Sequence, residues 1–309
     1  MFNVVIALAA TVMGQGAVSG NAVFDFIERN DLTGLQRLLD RNRGLANLKN
    51  AGVSPLHRAV ALNRIDVMKL LMKYGADPEI KDFNGYSVID LAIWLERREA
   101  IWALIASGNT LRQWHFAALG DLDQFKELFE KTPVYFDDTG NGNTILHWAV
   151  IGNNQEIVKL IVAKRNLTNH PGHEHVTPFH LAIRRNKERM VSVLIDHGAG
   201  INEPGPRGYF PLHMAVWTGE SSLVSLLLAN KASPNVQADG LLGVNDPGES
   251  CLDTPLHDAV IGNNPPIISL LLGRGANPAV ANRLGHTPLD VARRTGNIEA
   301  EKMLLFHAK

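Results

Sequence analysis

Cysteine is nearly absent from this chain. Cys251 stands alone, which excludes an internal disulfide framework and any multi-cysteine zinc module. An excess of charge of one sign is missing too. Thirty Lys and Arg against thirty-one Asp and Glu leave a formal charge of -1, with no basic surplus to neutralise a phosphate backbone, so nucleic acid is set aside as a partner. Long apolar runs are scarce. The segment from Val4 to Met13 falls short of the ~18 residues a membrane span needs, and nothing later approaches it, so no membrane insertion of the mature chain is expected. Small residues follow that segment, with no charge before Asp25. Residues 1–20 therefore read as an export leader cleaved near Ser19, Gly20 or Ala22, although no Lys or Arg supplies the usual positive start. The expected localisation is periplasmic or secreted, the alternative being cytoplasmic.

What the chain does have is apolar content, 45% over 309 residues, ample for a buried core, and a repeat. TPFH at Thr177 returns as SPLH at Ser54, TILH at Thr144, FPLH at Phe210, TPLH at Thr254 and TPLD at Thr287, with a weaker SVID at Ser87. With Leu111 as a divergent member, the steps are 33, 24, 33, 33, 33, 44 and 33 residues. Nine residues after each start stands Asn63, Gly120, Asn153, Asn186, Gly219, Asn263 or Gly296, types that end a helix in the left-handed conformation; Glu96 is the exception. A second apolar run with three- and four-residue spacing follows, closed by Gly75, Gly198 or Gly275. Each unit thus reads as helix, turn, helix, loop.

These residues resemble the ankyrin repeat family, whose 33-residue unit carries a T-P-L-H-x-A signature. The resemblance covers about residues 21 to 309, roughly nine repeats, with VFDFIERNDLTGLQRLLDRN as a degenerate first unit. It implies an all-α repeat solenoid, helix-turn-helix units joined by β-hairpin or loop fingers. It also implies that Thr144, Thr177, Thr254 and Thr287 cap first helices, and that His57, His147, His180, His213 and His257 bridge to backbone of neighbouring repeats. Asp90 and Asp290 replace that histidine with another short hydrogen-bonding group.

The family binds proteins through finger tips and the exposed side of first helices. Mapped by position, the expected contacts are Phe83, Tyr86, Asn141, Asn143, Arg207, Tyr209, Arg283 and His286 at the fingers, with Trp94, Arg184, Trp217 and Arg294 on first helices. Ile151 and Ile261 share the first-helix position. The implied molecule is a non-enzymatic scaffold, a monomer with a protein partner and no cofactor.

Two steps break the period. The 24-residue step after Ser87 leaves no room for a finger, and is expected to divide an N-terminal subarray, 21–110, from a C-terminal one, 111–309. The 44-residue step places an 11-residue insertion near 238–250, in a loop of the kind that repeat arrays use for binding. An alternative function rests on His170, His173 and His175 beside Glu174, a finger whose imidazoles could hold zinc, copper or nickel. A third reading is an exported accessory subunit assisting an enzyme. Cys251 has no free base nearby, since His257 is spent on the signature.

Overall fold

Proline behind a Ser, Thr or Phe cap opens five of the first helices; its fixed φ suits the first turn and its missing N–H is one the helix does not need there. The computed structural model describes residues 18–131, 141–165, 167–238 and 253–307. Those residues hold eighteen α-helices in nine pairs and fall into two compact units, 1–142 and 143–309.

The first unit contains α1 (Val18–Arg29) with α2 (Leu32–Arg41), α3 (Pro55–Ala61) with α4 (Ile65–Lys73), α5 (Val88–Trp94) with α6 (Arg98–Ala106), and α7 (Gln113–Leu119) with α8 (Leu122–Lys131). The second contains α9 (Ile145–Gly152) with α10 (Gln155–Lys164), α11 (Pro178–Arg184) with α12 (Glu188–Asp196), and α13 (Pro211–Thr218) with α14 (Ser221–Ala229). It closes with α15 (Pro255–Ile261) and α16 (Pro265–Gly273), then α17 (Pro288–Thr295) and α18 (Ile298–His307). Within each unit, first helices pack on first helices, as α3 does on α5 and α13 on α15. Leu, Ile, Val and Ala fill the layer between, with Leu56, Leu71, Leu194, Leu227, Leu256 and Leu271 fully buried.

The punctuation behaves as its chemistry dictates. Asn63, Asn153, Asn186 and Asn263 take φ of 54, 54, 51 and 47°, and Glu96, the residue outside the Asn/Gly rule, takes 55° all the same. At the end of the second helix Gly75, Gly108, Gly198 and Gly275 sit at 85, 92, 81 and 89°, whereas Lys231 holds 68° with a side chain. Lys231→Gly is therefore expected to stabilise the second unit by about 0.5–1 kcal/mol, read as a higher melting temperature. The carbonyl of residue 231, which accepts from Asn202 Nδ2 at 3.0 Å, is untouched by that change.

The fingers are turns rather than hairpin strands. One isolated bridge, Asn50 to Val53, is the sole β pairing among the described residues; other fingers close through single bonds such as Asp82 N–H to Tyr86 O, 2.9 Å, and Gly205 N–H to Tyr209 O, 2.8 Å. Between repeats, an asparagine amide spans the loops. Asn169 Nδ2 donates to Gly198 O at 2.9 Å and its Oδ1 accepts from Gly200 N–H at 2.8 Å; Asn202 and Asn235 repeat the pair with Lys231/Ser233 and Gly275/Asn277.

The short step differs from its expectation. Arg112, not Leu111, occupies the cap position and His115 the signature-histidine place, so the helix starts one residue later while Gly120 still stops it, at φ 72°. The compact units divide at 142/143, and the repeats on either side of the short step, both within the first unit, are bonded directly. Asp90, 1% exposed, accepts from Ser87 N–H and Oγ through Oδ2, at 3.0 and 2.6 Å, and from Trp114 Nε1 and His115 Nε2 through Oδ1, both at 2.9 Å. At His57, His147, His213 and His257 the signature residue faces a backbone carbonyl of the next finger and donates to it. Here the finger is gone, the next repeat presents two N–H donors, and a carboxylate is the group that fits them.

Helix α1 begins at Val18, which puts Ser19, Gly20 and Ala22 in its first turns. The apolar leader, the 239–252 part of the insertion and Cys251 lie outside the described residues.

Candidate partner-binding face

The signature histidines are structural, and their bonds fix one neutral tautomer. Thr144 N–H donates to His147 Nδ1 at 3.0 Å, so the ring proton sits on Nε2 and is donated to Val176 O at 2.8 Å. His257 repeats this with Thr254 N–H, 3.1 Å, and His286 O, 3.0 Å. His57 Nε2 reaches Tyr86 O at 3.0 Å, and His213 Nε2 reaches Asp253 O at 2.9 Å. Two departures are visible. Phe210 replaces the capping Thr, which leaves His213 Nδ1 unbonded, and His180, held to Thr177 Oγ1 at 2.8 Å, makes no Nε2 bond. Burial pushes His147, His180 and His213 down to about 4. Thr287 caps its helix through Asp290 instead, Oγ1 donating to Oδ2 at 2.7 Å.

Two glycines carry a cost that spacing alone does not reveal. A Cβ on Gly205 would lie 2.5 Å from His180 Nε2, and one on Gly172 would lie 2.7 Å from His147 Nε2. The finger backbone passes directly over the imidazole, so nothing larger fits.

The expected contact residues divide by where the finger places them. Phe83 is 49% exposed and Trp217 39%, and Arg184, Arg283 and Arg294 are exposed. Trp94 and Tyr209 are half-buried, Trp94 with its ring 5.5 Å from Tyr86 and Tyr209 edge-on to Trp217 at 4.4 Å. His286 is half-buried against Arg294 Nη1 at 2.9 Å. The side chain of Arg207 lies outside the described residues.

Three expected contacts are corrected. Tyr86, Asn141 and Asn143 are 5, 4 and 1% exposed: they stand at the base of a finger, where the chain turns into the next helix, and not at its tip. Asn143 Oδ1 accepts from His173 N–H at 3.3 Å. Ile151 is buried as well, whereas Ile261, at the same position one repeat after Trp217, is 56% exposed. Sequence reasoning missed Leu284, 64% exposed beside Arg283; its place in the finger tip was the available signal.

The histidine finger does not assemble as a ligand set. Among the described residues no three His, Cys, Asp or Glu side chains come together in a way that could hold a metal ion. His173, Glu174 and His175 form one tight turn with Glu174 at φ 56° and His175 at 61°, and His170 Nδ1 contacts Pro171 O at 3.0 Å. No helix among them is long and apolar enough to cross a membrane.

Comparison with known proteins agrees with this architecture. Family models of ankyrin repeats match residues 21–113, 114–204 and 163–238, and a single-repeat model matches 251–283. The crystal structure of an ankyrin repeat domain from Acinetobacter baumannii superposes with a TM-score of 0.55 at 27% identity, over 63% of this chain and 97% of that one. NF-kappa-B inhibitor alpha of Sus scrofa is 29% identical over 114 residues, 37% of this chain and 31% of its own. Protein phosphatase 1 regulatory subunit 27 of Homo sapiens is 35% identical over 69 residues, 22% of this chain and 45% of its own. The chain spans less than half the length of each of these curated relatives. Paired helices at a 33-residue step, histidines spent on finger carbonyls and family matches over most of the length have one meaning: the chain belongs to the ankyrin repeat family.

Proposed function

We propose that this chain is a non-catalytic binding module that takes a folded protein on the first-helix and finger surface of its 143–309 unit. The observation that carries the reading is the exposure there of Trp217, Ile261 and Leu284 at 39, 56 and 64%, flanked by exposed Arg283 and Arg294. Such residues cost free energy in water and return it when a partner covers them, and Trp and Arg are the types that dominate interface energies. The repeats that the family models match are a fold ordinarily without catalysis, and the signature histidines are consumed by backbone bonds. Export to a periplasm or the cell exterior is part of the proposal, supported by the apolar segment from Val4 to Met13.

Affinity capture of the C-terminally tagged chain from its native cells, beside a Trp217→Ala/Ile261→Asp variant, tests both parts. The expected result is one stoichiometric protein with the native chain, none with the variant, and an intact bait mass lacking the leader. The same set of proteins on both baits would refute the binding face, and a full-length bait would refute export.

A further inference from the structure

The residue two places before the left-handed stop of one first helix faces the fifth signature residue of the next. In the first two repeats those positions are Glu28, before Asn30, and Arg58, and they form an ion pair at 2.5 Å. Six repeats further on the same positions hold Trp217, before Gly219, and Asp258. Asp258 is the one anion at this place; the other repeats with a signature carry Arg58, Leu91, Phe116, Trp148, Leu181, Met214 or Val291.

Among the described residues no cation pairs with its carboxylate. Among the described residues Asp258 Oδ2 is buried and accepts no hydrogen bond, the Trp217 side chain bonds to the carboxylate across the repeat boundary, and the nearby charge is another carboxylate, Asp253. Asp253 itself accepts from Asn282 Nδ2 at 2.8 Å through Oδ1, so it supplies no balance. Burial, reinforced by Asp253, holds Asp258 well above the usual carboxylate range. An uncompensated acid in a packed first helix destabilises the fold, and such a departure from the local rule is expected where function requires it. Beside it stands Trp217, partly exposed, and edge-on to that ring, 4.4 Å between centroids, stands Tyr209; aromatic rings are surfaces on which cations settle.

We propose that Asp258, Trp217 and Tyr209 form a receptor for one cationic side chain, an arginine or lysine, presented by the protein partner. This rests on the binding-module reading above and names the chemistry of the residue that the partner must carry. The cation completes, from outside, the ion pair that Arg58 and Glu28 complete within the chain. Charge complementarity chooses this occupant over an acidic or purely apolar one: an acid would meet two carboxylates, and an apolar group would leave Oδ2 unpaired and still buried.

The test needs no partner. The full-length chain is titrated with Nα-acetyl-arginine amide, and in parallel with Nα-acetyl-citrulline amide, its neutral counterpart of nearly the same shape. The reading is the Trp217 indole N–H resonance, assigned through Trp217→Phe. The arginine amide is expected to shift that resonance saturably and the citrulline amide to leave it in place, with Asp258→Asn weakening the arginine response by roughly tenfold or more in a chain that keeps its folded spectrum. Should Asp258→Asn unfold, Tyr209→Ala carries the same comparison, because that ring is half exposed. Equal responses to the two amides, no response to either, or an arginine titration unchanged by these substitutions would overturn the receptor. An arginine response from a chain that captures no protein leaves the receptor standing and removes the binding-module reading alone.

Discussion

Asp90→Ala is expected to destabilise the 1–142 unit by about 3–5 kcal/mol, among the largest losses a single side chain can produce. Four donors converge on this carboxylate: Ser87 N–H, Ser87 Oγ, Trp114 Nε1 and His115 Nε2. His115 is 1% exposed and its Nδ1 already accepts Arg112 N–H at 3.0 Å, so it cannot turn to find another partner. Removing the acceptor strands buried donors, each of which costs about 1–3 kcal/mol. The sharper form of the prediction is Asp90→His. That change restores the residue found at this place in six other repeats, yet it sets an imidazole N–H against two N–H donors, and it is expected to cost nearly as much as alanine. Urea unfolding of the full-length chain, followed by Trp fluorescence, measures both; an Asp90→His chain as stable as the native one would show that the short step does not depend on an acceptor.

Acid should unfold the 143–309 unit well before general carboxylate protonation. Burial pushes His147, His180 and His213 down to about 4, against an ordinary histidine value of 6.5. Above pH 6.5 the rings are neutral folded or unfolded, and the stability they permit is fully present. As the pH falls from 6.5 toward 4, the unfolded chain binds protons that the folded chain refuses, so stability is lost. The loss is about 2 kcal/mol per histidine at pH 5, roughly 6 kcal/mol for the three, comparable with the whole stability of an ordinary domain. His257 shifts in the same direction through burial, and Asp258, held high, works in the opposite sense as a single group. Melting temperatures between pH 8 and 5 check the slope. His213→Gln should flatten it by about a third, since the amide can donate to Asp253 O as Nε2 does and no longer titrates. A profile level down to pH 5 would mean that the rings protonate in place.

Much of the fold is legible in the sequence because its marks are local. A Thr or Ser three residues before His, and an Asn or Gly nine residues after the start, each satisfy one backbone need within a single repeat, so spacing alone reveals them. The positive φ of Glu96 shows how strong that need is: the turn imposes the conformation even on a residue that does not favour it. The Asn169, Asn202 and Asn235 clamps were equally periodic, a 33-residue signal outside the TPLH motif. What spacing does not reveal are the features made between repeats. Asp90 reads as a substitute for histidine until the missing finger puts Trp114 and His115 opposite it. Tyr86 and Asn143 read as finger residues, but two or three positions along a turn separate an exposed tip from a buried base. Asp258 carries no mark in the spacing, and only Trp217 and Asp253 beside it single it out.

The central claim, that the Trp217–Ile261 surface holds a protein, is tested most directly by the dissociation constant of the captured protein for the native chain and for Trp217→Ala, with both melting curves recorded. The account predicts binding weaker by roughly thirtyfold, the effect of a central aromatic contact, with the melting temperature little changed. Equal affinities in two equally folded chains would place the partner elsewhere and contradict it.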